Sequence, residues 1–80
     1  MTRETDQIAQ DYSAMGDSVS VITDVIAGES MADESAEDRQ DCVDRNTQHL
    51  EIMVAKDDWG DEDMSTVNAA ITAGNGYTAS

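Results

Sequence analysis

IAQDYSAMGDSVSVITDVI, residues 8–26, carries Ile8, Tyr12, Met15, Val19, Ile22 and Ile26 at successive spacings of 4, 3, 4, 3 and 4. That alternation marks one face of a helix and predicts a long amphipathic rod with a coiled-coil-like seam. The helix should cover residues 5–27, with Thr2 or Thr5 as N-cap, Asp6 in the favourable first turn and Gly28 as the stop. Gly16 falls inside it, where glycine costs about 1 kcal/mol relative to alanine. Either a neighbouring backbone approaches closely there or the loss is tolerated.

Beyond Gly28, Ser30-Met31-Ala32-Asp33 reads as an N-cap with an acid three residues on, opening a second helix over residues 31–56. Its ladder is imperfect. Ala36, Val43 and Leu50 share one heptad position while Arg39, Asn46 and Met53 share the other, and the polar members can fix register at some loss of stability. A connection of only Gly28 and Glu29 forces the two helices antiparallel, setting Ile26 beside Met31 and Ala32, and Ile8 beside Leu50 and Met53. Gly60 breaks the second helix. Asp61, Glu62 and Asp63 then load the N-terminus of a short third helix, residues 62–73, whose packing residues are Trp59, Met64, Val67 and Ile71. Asn75-Gly76 closes it as a turn. The expected fold is all-α and forms one small domain: an antiparallel helical hairpin plus a short third helix.

The closed end of this hairpin is unbalanced. Val21 and Val25 widen the apolar face beside Ile22 and Ile26, yet the facing residues 31–41 offer only Met31, Ala32 and Ala36. At about 25 cal/mol per Å², leaving several such side chains wet forgoes several kcal/mol. The expectation is self-association through the first helix, the Val21/Val25 flank and the facing Val43, Leu50 and Met53, with a homo-oligomer as the product.

Composition limits the partners. The 80 residues hold 18 Asp+Glu against 4 Lys+Arg, a formal net charge of −14, with no Phe, no Pro and 39% hydrophobic residues. Arg3, Arg39, Arg45 and Lys56 form no cluster in sequence, which argues against direct binding of a nucleic-acid backbone or an anionic membrane. Cys42 is the sole cysteine, so no internal disulfide can form. No secretory apolar stretch and no run of about 18 apolar residues is present, and the expectation is a soluble protein made in a reducing cytoplasm.

Candidate chemistry is sparse, and no cofactor is expected. Cys42 and His49 lie seven residues apart, about 10.5 Å along a helix axis, too far to share one metal within a chain. Asp57-Asp58-Trp59-Gly60-Asp61-Glu62-Asp63 offers oxygen ligands for a weak divalent cation, but Trp59 and Gly60 occupy the wrong places for an EF-hand. Ser13, Ser18, Ser20 and Thr23 have no identifiable base, and Gly74-Asn75-Gly76 lacks the strand and helix of a phosphate loop. Asp33, Glu34, Glu37, Asp38, Asp41 and Asp44 make a carboxylate stripe, either a solvated face or an imitation of DNA phosphates.

Asn46-Thr47-Gln48-His49-Leu50-Glu51-Ile52-Met53-Val54-Ala55-Lys56, then Trp59 and Glu62-Asp63-Met64-Ser65-Thr66-Val67-Asn68-Ala69-Ala70-Ile71-Thr72-Ala73-Gly74, resembles a segment of short acidic helical proteins of tailed bacteriophages, marine ones among them. The likeness covers roughly residues 46–77 and carries no catalytic motif or site residue. It implies a phage origin and production in the host cytoplasm. The resulting expectation is a non-enzymatic virion component, a minor capsid accessory or decoration protein contacting itself and other virion proteins. The alternative is an acidic DNA mimic that inhibits a host nucleic-acid-binding enzyme.

Overall fold

A computed structural model describes residues 4–56 and 58–80 of the chain. Helix α1 spans Thr5–Ile26, α2 spans Ala36–Val54 and α3 spans Ser65–Asn75, and each packs against the other two. The architecture is the expected hairpin with a short third helix. Two cross-links show that α1 and α2 run antiparallel: Ser18 meets His49, while Tyr12, nearer the start of α1, meets Trp59, beyond the end of α2.

The first helix ends as its glycine requires. Gly28 adopts φ 79°, its N–H donates to the Val25 carbonyl at 3.1 Å, and Glu29 N–H donates to Asp24 at 2.9 Å. This pair of bonds is a Schellman motif and satisfies carbonyls that the helix leaves open. At the other end the N-cap is Glu4, extended at φ −60° and ψ 149°, without a side-chain capping bond. Thr5 is thus the first helical residue and not a cap, and Thr2 lies outside the described residues.

The start of α2 corrects the sequence expectation. Ser35, not Ser30, is the cap: its hydroxyl accepts from Asp38 N–H at 3.1 Å, and Glu37 and Asp38 occupy the first turn. Both serines open a Ser-x-x-Asp pattern, but the second places two carboxylates on the positive end of the helix dipole. The connection therefore covers residues 27–35, well beyond Gly28 and Glu29. Its length lets Met31 turn back at φ 59° and pack half-buried on the core. A left-handed methionine costs about 1 kcal/mol, offset by the surface it removes from water.

Eight side chains form the buried core: Met15, Ile22 and Val25 from α1, Val43 and Leu50 from α2, Trp59 from the loop, and Val67 and Ala70 from α3. Ile8, Tyr12, Val19, Val21, Met53, Met64 and Ile71 pack half-buried around them. Of the expected Val21/Val25 flank, Val25 is covered inside a single chain, at 2% exposure, while Val21 stays half-buried. A hairpin leaves one side of its seam bare; α3 forms a third wall here, and Met31 adds cover from the loop. Ile26, placed in the seam by its spacing, stays 39% exposed because it is the last residue of α1 and nothing helical faces it at residue 31.

Facing two helices also moves the register of α2. Its buried residues are Val43, Thr47 and Leu50, while the expected seam members Arg39 and Asn46 are half-buried at the margin. Thr47 lies where α3 comes closest: a Cβ built on the buried Gly74 would fall on its hydroxyl. Helix α3 begins three residues later than expected, because Asp61, Glu62 and Asp63 precede it as loop. Gly60 permits the turn there at φ 65°.

Candidate functional site

The outer face of α2 is the most strongly charged surface. Glu37, Asp38, Asp41 and Asp44 are exposed on the helix, and Asp33 and Glu34 are exposed in the approach to it. Glu37 and Asp41, Asp38 and Asp41, and Asp41 and Asp44 repel at helical spacings, each pair costing about 0.2–0.5 kcal/mol. Arg45 answers Asp41 at 3.0 Å, an exposed ion pair that contributes only a few tenths. Beside this face, Gln40 Nε2 donates to Asp44 at 3.0 Å and to the Tyr77 carbonyl at 3.1 Å, and Gln40 Oε1 accepts from Ala79 N–H at 2.8 Å. Arg39 Nη2 donates to the Ser80 carbonyl at 2.8 Å. The basic and amide groups at this margin are thus committed to holding residues 77–80.

One contact was invisible in the spacing. Ser18 Oγ and His49 Nδ1 stand 2.8 Å apart across the α1–α2 seam, a hydrogen bond whose direction follows the imidazole tautomer. Burying a hydroxyl without a partner would cost about 1–3 kcal/mol, so His49 accounts for the burial of Ser18. A Ser–His pair also suggests a nucleophile and its base. Ser18 is only 6% exposed, and the pair ties α1 to α2. Cys42 is half-buried, with Asn46 Nδ2 donating to its carbonyl at 2.8 Å along the same helix.

Trp59 anchors the loop between α2 and α3. Its Nε1–H donates to the Met53 carbonyl at 3.0 Å, and its ring lies 6.3 Å from that of Tyr12 at a 58° tilt. Tyr12 in turn donates its hydroxyl to the Asp63 carbonyl at 2.6 Å. The Asp63 carboxylate accepts from the Ser65 hydroxyl at 2.7 Å and the Ser65 N–H at 2.9 Å, which together hold its pKa below the ordinary 3.8. Asp63 is therefore occupied in starting α3. Asp61 and Glu62 are exposed, Asp58 is half-buried, and Asp57 lies outside the described residues. Among the described residues no three His, Cys, Asp or Glu side chains group as a metal site requires. No described helix is long and apolar enough to cross a membrane.

A cleft of about 310 Å³ opens between α1 and α3, lined by Tyr12, Gly16, Val19, Ser20, Thr66 and Val67. Gly16 has nothing within 4 Å of the place its Cβ would take. No backbone approaches it, so of the two readings of that glycine the close contact fails.

The chain matches no protein-family model, no curated protein and no solved structure at a significant level.

Proposed function

We propose that this is a non-enzymatic, phage-encoded binding protein that presents the acidic outer face of α2 to a basic surface on a host nucleic-acid-binding enzyme. One observation carries the reading: the acidic residues among 33–44 are all exposed, while Val25 of the valine flank is buried inside one chain. The like-charge repulsion along α2 is answered only in part, by Arg45 at Asp41, and would be relieved further by lysines and arginines of a DNA-binding groove. The test is competition. The protein is titrated against labelled duplex DNA held by host RNA polymerase, a restriction endonuclease or a nucleoid protein. Salt-sensitive displacement that the triple variant Glu37→Gln, Asp41→Asn, Asp44→Asn loses supports the reading; equal displacement by the variant, or none from any of the three, defeats it.

A virion accessory role is the second reading, favoured by the large apolar side chains left outside, Ile26 at 39% and Ile52 at 57% exposure. They belong to opposite ends of the hairpin, Ile26 at the closed end and Ile52 in the last turn of α2, so they form no single patch. Mass spectrometry of purified particles decides: a virion component occurs there in fixed proportion. Ile52→Asp is the informative variant, expected to keep the fold and abolish incorporation. Ile22→Asp does not discriminate, because Ile22 is fully buried within the chain and a charge there unfolds it.

A further inference from the structure

We infer that Arg39, Gln40 and the place taken by the Tyr77 ring form a recognition site for an extended peptide segment of a partner protein, and that residues 77–80 are a strap that fills this site in the free chain. The inference rests on none of the carboxylates assigned to the proposed function, so either can fail alone.

What the site reads is main chain. The Gln40 amide donates through Nε2 to the Tyr77 carbonyl at 3.1 Å and accepts through Oε1 from Ala79 N–H at 2.8 Å. One side-chain amide thereby does what one residue of a parallel strand does for its neighbour, serving a carbonyl and the N–H two residues on. Arg39 Nη2 adds a bond to the Ser80 carbonyl at 2.8 Å. Tyr77 packs half-buried against the core, Ala79 is half-buried, and Thr78 and Ser80 are exposed. The strap therefore defines the pattern of an occupant: an aromatic residue, any residue, then a small one, with main-chain groups free to bond.

The strap can come away without disturbing a helix. It lies outside all three, places no side chain among the eight of the buried core, and is held by the bonds from Gln40 and Arg39 and by one half-buried ring. Segments held in this way open well below the free energy of global unfolding, and the freed residues regain conformational entropy. Opening leaves the site in want of a partner. At helical spacing Arg39 neighbours Ser35, Ala36, Cys42 and Val43, none of them a carboxylate, so no acid at those positions takes the guanidinium in place of the strap. The occupant is extended, because a helix already pairs its interior N–H and C=O groups with one another. It is uncharged or basic, because a chain of charge −14 repels an acidic segment.

Hydrogen exchange on the parent chain tests the opening. The Ala79 amide should exchange about a hundredfold or more faster than that of Leu50, and equal protection overturns the inference. Tyr77→Ala then loosens the strap while keeping Arg39 and Gln40. The probe is a fluorescein-labelled, amidated peptide repeating residues 76–80, read by anisotropy and by amide shifts on the full chain. It should bind Tyr77→Ala about tenfold or more tightly than the parent, whose site is filled, and by a similar factor more tightly than an analogue with alanine for the tyrosine. Shifts should fall on residues 39–44. Adding Gln40→Ala to Tyr77→Ala should remove the gain while circular dichroism stays unchanged. Equal binding to the parent and Tyr77→Ala, equal binding of the two peptides, or a gain that survives Gln40→Ala each overturns the inference. So does a complex between Tyr77→Ala and the parent chain in sedimentation velocity, which gives the site to the strap of a second copy.

Discussion

Gly16→Ala and Gly74→Ala are the same chemical change in two helices of this protein, and the structure gives them opposite signs. At Gly16 an added methyl meets nothing within 4 Å, so only the backbone term acts and the fold gains about 1 kcal/mol. At Gly74 the new Cβ would land on the Thr47 hydroxyl and stand 3.1 Å from its Cβ and 3.2 Å from its Cγ2. Rotating Thr47 relieves the first contact but not the second, so α3 must move away from α2. Overpacking of this kind costs about 1–3 kcal/mol. The helix-propensity gain is reduced because Gly74 is one residue from the end of α3, leaving a net loss of about 1–2 kcal/mol. For a domain of this size each kcal/mol moves Tm by about 4–8 °C. Urea and thermal unfolding followed at 222 nm should therefore place Gly16→Ala above the parent and Gly74→Ala below it. Thr47→Gly in the Gly74→Ala background, which removes the Thr47 Cβ as well as its hydroxyl and methyl, supplies the decisive arm. Removing the clashing partner should recover about 1 kcal/mol beyond additivity. A Gly74→Ala protein as stable as Gly16→Ala, or additive double-mutant energies, would refute the close α2–α3 approach.

Three further outcomes are expected. Trp59→Phe keeps a packing ring but loses the indole bond to the Met53 carbonyl, which still accepts from Lys56 N–H, and should cost about 0.5–1.5 kcal/mol in denaturant unfolding. Added salt should raise Tm between low ionic strength and half-molar, because a charge of −14 repels itself in the compact state; a flat or falling Tm counts against that. Asp63 has a folded-state pKa below its ordinary 3.8, so its contribution to α3 is complete above that value and disappears as pH falls through the depressed one. An NMR titration should place its midpoint under 3.8, and Ser65→Ala should raise it.

How far the chain could be read ahead of its structure varied with the range of the physics involved. Gly28 was legible because a Schellman stop is local: six consecutive residues contain both of its bonds. Ser30 and Ser35 open the same Ser-x-x-Asp pattern, and beside the first-turn carboxylates that follow Ser35, Met31 packs on the core, a contact that is not local. The half-buried ring of Tyr12 was placed on the inner face by its spacing, whereas its bond to a carbonyl 51 residues away was not recoverable from any spacing. Thr47 was missed for a related reason. A two-helix seam needs a narrow stripe, and only the arrival of α3 turns its position from margin to interior. Ser18 and His49 carried no signal at all, since two polar residues 31 positions apart become partners only when the register is set.

The chain by itself determined that this protein is helical, that its helices fold back on one another, and that its surface is acidic, because periodicity, glycine stops and net charge are properties of neighbouring residues or of plain sums. Tertiary structure decided whether the apolar edge of α1 is spare. Hydrophobic surface is covered by whatever packs against it, and the core that buries Val25 also takes in the third helix and the turned-back Met31, invisible to a pairwise reading of the hairpin. The same packing leaves the carboxylates of α2 exposed.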